Sequence, residues 1–247
     1  MLEMARLKAR GPVSPLEVRH WLALPQSALL LQAEQQWLER RLERCFGSYL
    51  LLYNAVTGAQ WHSDIRCRIR LGSDEQEQDI YCSESQWPVQ PDGADAVVLQ
   101  HSLEFSRSPH DLLREAARAV RPGGYLLLTG RNPWWQGFVG DSLWQRSHKL
   151  SAARVSEWLA VLGFALEAPV FAHYLPAGWQ RAGGRLEAFL AKRQWPLGAC
   201  YMIAARKQVH AAPAQRQRIR RLKGLLPLPV AQQTAKPEIV EEQRRHD

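Results

Sequence analysis

The sequence predicts an α/β protein built on a doubly wound, mostly parallel sheet, and three observations carry that expectation. Strand-length apolar runs alternate with helical patterns across the middle of the chain. The run Ala96-Val97-Val98-Leu99 is apolar throughout, as suits a parallel strand covered on both faces. A helical pattern that opens at Pro109 is stopped by Arg121-Pro122-Gly123-Gly124, and a second apolar run, Tyr125-Leu126-Leu127-Leu128-Thr129, follows at once.

The elements are expected in the following order. Residues 1–26 carry Gly11-Pro12, Pro15 and Pro25 and read as an extended lead-in. Ser27 is placed to cap a helix running to Arg44, whose Leu30, Trp37, Leu38, Leu42 and Cys45 share a face. Tyr49 to Tyr53 is the first strand, with Asn54 as its turn signal. In Ile65-Arg66-Cys67-Arg68-Ile69-Arg70-Leu71 apolar and basic residues alternate, which gives a strand with one wet face. An acidic turn, Gly72 to Gln78, leads to a short strand at Ile80 to Cys82, and Pro91-Asp92-Gly93 turns into the strand Ala96 to Leu99. Leu112, Leu113, Ala116 and Val120 align on one face of a helix from Asp111 to Val120. A second clear helix spans Ser151 to Leu162, with Val155, Trp158, Leu159 and Leu162 inward and Gly163 at its end. Strands at Ala168 to Tyr174 and Cys200 to Ala204 complete the pattern.

Composition narrows the function classes. The 247 residues are 46% hydrophobic and 23% charged, which excludes a disulfide miniprotein, a coiled coil and a wholly disordered chain. No apolar run approaches the roughly 18–20 residues of a membrane helix, and Met1 to Arg6 lacks a signal-peptide core, so a soluble cytoplasmic setting is expected. Cys45, Cys67, Cys82 and Cys200 stand far apart, suggesting buried free thiols rather than zinc ligands or disulfides. The net charge is +8, but from Arg206 onward there are ten Lys/Arg against four Asp/Glu. The basicity therefore belongs to the C-terminal stretch from Arg206, of which the segment 208–247, with its prolines, glutamines and arginines, reads as a disordered tail. Its Arg216, Arg218, Arg220, Arg221 and Lys223 offer a weak contact to nucleic acid or an anionic surface; with no aromatic residue interleaved, a solvated tail is the plainer reading.

The segment Pro91 to Phe105, followed by Pro109-His110-Asp111-Leu112-Leu113-Arg114-Glu115 and Arg121-Pro122-Gly123-Gly124, resembles the class I S-adenosylmethionine-dependent methyltransferases, in particular their type-11 domain. Order and spacing agree over about 40 positions: acidic turn, strand four, a helix with Leu-Leu-Arg-Glu, a Pro-Gly-Gly turn, strand five. The likeness extends to Trp87-Pro88 and to the run Gly198 to Lys207, and it is similar to a proteobacterial stand-alone subgroup with Asn-Pro after strand five, here Asn132-Pro133. It implies a Rossmann-like domain over 27–207 with an antiparallel last strand, S-adenosylmethionine as cofactor, and a small-molecule acceptor.

Motif by motif, the resemblance assigns candidate residues and departures. The family's first strand ends in an acid and a Gly-x-Gly-x-Gly turn; the residues here are Leu52-Tyr53-Asn54-Ala55-Val56-Thr57-Gly58. Asn54, Ala55 and Gly58 would face the cofactor, while β-branched Val56 resists the positive φ that glycine supplies. Asp74 or Glu75, just after Gly72-Ser73, is placed to accept from the ribose hydroxyls. Ser83 replaces the acid expected five positions before Pro88, with Glu84 beside it as a substitute.

His101, just past strand four, stands where the family brings a residue near the sulfonium and the acceptor. Its imidazole suits proton removal, and Glu104 is the second candidate base; a hydrogen bond to a loop carbonyl is the plainer role for His101. Asn132-Pro133-Trp134 is similar to the Asn-Pro-Pro-Tyr box of amino-group methyltransferases but follows strand five rather than four, so a turn is the simpler reading. Trp134, Trp135, Phe138 and Trp144 suit a substrate cleft, a membrane-facing lid or ordinary packing. Two function classes result: methyl transfer to a small-molecule oxygen, nitrogen or carbon, or a non-catalytic interaction protein that keeps the fold without the cofactor.

Overall fold

A computed structural model describes residues 13–53, 61–72, 78–135, 142–175 and 184–209. Two helices lead, α1 (Pro15–Leu22) and α2 (Pro25–Leu42), followed by β1 (Phe46–Tyr53), β2 (Asp64–Gly72), β3 (Ile80–Tyr81) and β4 (Ala94–Gln100). Then come α3 (Pro109–Ala119), β5 (Val120–Arg131), α4 (Ser142–Arg146), α5 (Ala152–Val161), β6 (Phe164–Leu166), β7 (Val170–Ala172), α6 (Gly184–Arg193) and β8 (Cys200–Lys207).

The sheet order is β3-β2-β1-β4-β5-β8-β6, with β7 also paired to β8. Strands β1 to β5 run parallel, and β8 is antiparallel to β5, β6 and β7. This is the expected doubly wound sheet with its antiparallel last strand. The strand order reverses between β1 and β4, the place where such sheets open a ligand crevice at their carboxyl ends.

Every residue of β4 is buried, as its unbroken apolar run requires. Alternate side chains divide between two layers. Leu50, Leu52, Ala96, Val98, Leu127 and Met202 pack with Trp37, Leu38 and Leu42 of α2. Leu51, Val97, Leu99, Leu126, Leu128 and Ile203 pack with Leu112, Leu113 and Ala116 of α3 and Val155 and Leu159 of α5. Only ten residues separate β1 from β2, whereas a helical crossover takes roughly a dozen or more. Trp61, 1% exposed, covers the α2 side of the sheet there.

Several expectations are corrected. The lead-in is not extended throughout: Ser14 and Glu17 form a reciprocal capping box that starts α1, with Pro15 in the first turn, where a proline fits a helix. Helix α2 begins at Pro25, and Ser27 is no cap; its buried hydroxyl donates to Trp21 O at 2.9 Å and ties the two helices together. The strand expected over 168–174 is three residues long, with β6 separate from it, and α4 and α6 were not foreseen. The wet face of β2 is present in exposed Arg66, Arg68 and Arg70. Cys45, Cys82 and Cys200 are buried free thiols, but Cys67 is exposed.

A buried carboxylate clamps the opposite end of the sheet. Asp95 accepts from Ser48 N at 2.6 Å, Tyr49 N at 2.9 Å and Arg121 Nε at 2.6 Å, joining β1, β4 and β5. Burial opposes its charge, but the two backbone donors and the guanidinium outweigh it and hold the carboxyl below its usual range. The glycines beside it follow from this approach. A Cβ on Gly47 (φ +149°) would lie 2.1 Å from Asp95 Cγ, and one on Gly124 would lie 2.8 Å from Asp95 O. Gly47→Ala is therefore expected to lower unfolding free energy by about 3 kcal/mol in urea titrations, because a strained φ and a displaced carboxylate act together. Asp95→Asn should flatten the acid limb of stability, since a depressed carboxyl contributes above its ordinary pKa and loses that contribution as pH falls through the folded value.

Candidate functional site

The carboxyl ends of β1 and β4 are drawn together by one hydroxyl. Ser102 Oγ lies 3.0 Å from Tyr53 O and 3.1 Å from Gln100 O, so it bridges the last residues of the two strands. The Tyr53 ring is stacked on Trp87, centroids 5.2 Å apart. Just beyond β4 the backbone of His101 turns left-handed (φ +51°), with its N–H on Thr129 O at 3.1 Å.

That turn sends the imidazole into a buried polar cluster under α2. His101 Nδ1 lies 2.7 Å from Glu104 Oε1, and Nε2 lies 3.0 Å from Glu34 Oε1. The other oxygen of Glu34 accepts from Gln100 Nε2 at 3.1 Å and Thr129 Oγ1 at 3.0 Å, so one carboxylate of α2 binds β4, β5 and the loop after β4. Burial alone would disfavour a charged ring, but the carboxylates of Glu34 and Glu104 outweigh it and push the His101 pKa up to about 10. The charged form of the ring is thereby favoured, with Nδ1 hydrogen-bonded to Glu104 and Nε2 facing Glu34 as an ion-pair contact.

Glu104 is equally buried. Its Oε1 also accepts the backbone N–H of Arg131 at 3.1 Å, while its Oε2 is buried with no hydrogen-bond partner. The Arg131 guanidinium is 1% exposed and stands 4.2 Å from the Trp21 ring and 4.5 Å from the Trp144 ring. Two carboxylates and two cations thus share the interior between α1, α2, α4 and the ends of β4 and β5. A cleft of about 290 Å³ opens beside them, lined by Val13, Glu104, Phe105, Ser106, Arg107, Arg146 and His148.

The structure brings His101 and Glu104 together but separates the other candidates. Ser83 is exposed and bridged to Gln86. Glu84 Oε2 accepts from Ser106 Oγ at 2.6 Å and Arg107 N at 2.9 Å, which braces the loop ahead of α3. Asn54, Ala55, Val56, Gly58 and Asp74 lie outside the described residues. Asn132 is a clasp: its Nδ2 donates to Pro196 O at 3.0 Å and Gly198 O at 2.8 Å, and its Oδ1 accepts from Trp134 N at 3.2 Å. Sequence reasoning missed Glu34 and Arg131. Glu34 did leave a signal, an acid on the face shared by Leu30, Trp37 and Leu38.

Comparison with known proteins bears on the fold that carries this site. The model of the methyltransferase domain matches residues 52–128, from the end of β1 through most of β5. The uncharacterized protein YafS of Escherichia coli (strain K12) is 26% identical over 217 residues, covering 81% of this chain and 85% of that protein. Among solved structures, a SAM-dependent methyltransferase from Archaeoglobus fulgidus is similar with TM-score 0.56 and 14% identity, over 72% of this chain and 94% of the other. Geranyl diphosphate C-methyltransferase from Streptomyces coelicolor A3(2) is similar with TM-score 0.51 and 15% identity, over 81% and 90%. The [4+2]-cyclase SpnF is similar with TM-score 0.50 and 18% identity, over 72% and 80%. By sheet order and structural likeness the chain has the fold of the class I S-adenosylmethionine-dependent methyltransferases, and its residues 52–128 match their methyltransferase domain.

Proposed function

We propose that the chain binds S-adenosylmethionine at the carboxyl ends of β1 and β4 and transfers its methyl group to an oxygen, nitrogen or carbon of a small molecule. The observation that carries this reading is the position of Glu104. Glu104 lines a cleft directly past the switch point of a sheet whose β1–β5 segment matches the methyltransferase domain, and its buried Oε2 has no hydrogen-bond partner.

In this reading Ser83 and Glu84, just after β3, together with Asn54, Ala55, Gly58 and Asp74, are the residues that would hold the cofactor, with Glu84 Oε1 as the oxygen not already bracing the loop ahead of α3. When bound, the cofactor supplies an activated sulfonium methyl. The protein's part is then alignment and exclusion of water. Glu104 Oε2 hydrogen-bonds the acceptor's N–H or O–H and takes its proton, while the His101 imidazolium and the Arg131 N–H hold Oε1 and fix the carboxylate's direction. His101 is thus a positioning cation rather than a base in this scheme.

The test is transfer of labelled methyl groups from S-adenosylmethionine to the low-mass fraction of a cell extract. Glu104→Gln should lower the rate by about 100-fold, the scale of general-base catalysis, and leave cofactor affinity within about twofold. Equal rates in the two proteins would remove Glu104 from the chemistry. The Ser102 bridge favours a second reading, a non-catalytic interaction protein, because it ties the last β1 carbonyl across the crevice. A fold shared with a cyclase also shows that architecture alone does not fix chemistry.

A further inference from the structure

On the edge of the sheet where β5 ends and β8 begins, large apolar side chains stand in solvent. Trp134 is 69% exposed, Trp195 49% and Leu197 51%; on α6, Leu186 and Phe189 are each 51% exposed, and no residue of that helix is buried. Apolar residues scattered singly would need no explanation, but one side chain ties the loops that bear Trp134, Trp195 and Leu197, and α6 ends two residues before Trp195.

Asn132 binds the carbonyls on either side of Leu197 and the amide of Trp134, so one buried side chain fixes both tryptophan-bearing loops. Gln194, with φ +50°, accepts the Phe171 amide at 2.7 Å and anchors the residue before Trp195 to β7. Leu186 and Phe189 are three apart on one helical face. Buried hydrogen bonds thus secure a surface that buries none of its own aromatics.

The charge around this surface identifies its occupant. Arg185, Lys192 and Arg193 flank the apolar residues of α6, and the Arg193 guanidinium lies 5.5 Å from the Phe189 ring. The one acid of the helix, Glu187, is turned inward and accepts from the amides of Tyr174 and Leu175 at 3.0 Å. Indoles combined with a Lys/Arg rim suit the boundary of an anionic bilayer, where the ring enters the acyl margin and the cations meet headgroup phosphates. We propose that Trp134, Trp195, Leu197, Phe189 and Leu186, with Arg185, Lys192 and Arg193, dock the protein on anionic lipid membranes. No described helix is long and apolar enough to cross a membrane, so the attachment is peripheral. The proposal is independent of methyl transfer.

The test is co-sedimentation of the full-length chain with vesicles of phosphatidylcholine containing about one-third phosphatidylglycerol, against phosphatidylcholine alone. The chain should pellet with the anionic vesicles and much less with the neutral ones. Trp134→Ser/Trp195→Ser should weaken partitioning by at least about tenfold, and Lys192→Gln/Arg193→Gln by a similar factor that vanishes at high salt. Val161→Ser, at an equally apolar site 88% exposed on α5, should change nothing. Unchanged anionic-vesicle binding in the folded double-tryptophan variant would assign the binding to the basic tail and overturn the proposal. So would no vesicle binding at all, or sedimentation velocity showing a dimer that the same substitutions dissolve, since a second copy would then cover the face.

Discussion

Glu34→Ala should lower the unfolding free energy by about 3 kcal/mol at pH 7, the range for removing one partner of a buried charge cluster. The loss has three sources in the structure: Gln100 Nε2 and Thr129 Oγ1 lose their acceptor, His101 loses one of two carboxylates, and α2 loses its polar tie to β4 and β5. The pH dependence separates this from simple cavity formation. His101 has a folded pKa of about 10 against an ordinary 6.5, so its contribution is complete below pH 6.5 and is lost as pH rises toward 10. Wild-type stability should fall across pH 6.5 to 9, and Glu34→Ala should fall less, because one carboxylate holds the proton less firmly than two. Burial also pushes Cys200 and Tyr201 upward, which adds an alkaline loss to both proteins above that window. Urea titrations at several pH values measure both effects; parallel curves for the two proteins would remove His101 as the titrating group.

Arg131→Leu is expected to cost about 3 kcal/mol as well, for a different reason. The guanidinium is sandwiched between the rings of Trp21 and Trp144, with Phe105 at 5.8 Å, so it joins α1 to α4 over the end of β5. It is also a cation in the same interior as Glu104 and Glu34, and an aliphatic side chain removes that charge while leaving their other hydrogen bonds in place. Arg131→Lys should recover less than half of the loss, since an ammonium cannot lie flat between two indoles as a planar guanidinium does. Urea unfolding checks the ranking wild type, then Lys, then Leu; equal stability in all three would mean the aromatic box holds without its cation.

The sheet was legible because its signals are local. Ala96 to Leu99 needs no partner to read as a fully covered strand; the helix does stop ahead of Pro122-Gly123-Gly124, but these residues lie within β5 rather than in a turn, where a Cβ on Gly124 would meet Asp95 O. Helix α1 was hidden by Pro15, read as a breaker although Ser14-Pro15-Leu16-Glu17 spells a capping box. Helix α6 was missed because its Leu186 and Phe189 face solvent, so its apolar pattern pointed to no core.

At the site, His101 and Glu104 were within reach because they are three residues apart. Glu34 required asking why an acid lies on an apolar helix face. Arg131 had no local signal, since its burial depends on Trp21, Phe105 and Trp144 from three separate segments.

The central claim, cofactor binding at the β1–β4 crevice, is tested most directly by isothermal titration of the full-length protein with S-adenosylhomocysteine and S-adenosylmethionine. The expected result is one molecule bound per chain with Kd below about 1 mM. Asp74→Asn or Glu84→Gln should weaken it, because an amide accepts less strongly than a carboxylate, and Val56→Gly should tighten it by restoring backbone freedom beside Asn54 and Ala55. No heat of binding at millimolar ligand, in wild type and in Val56→Gly alike, would contradict the claim and leave the non-catalytic interaction protein as the reading of this fold.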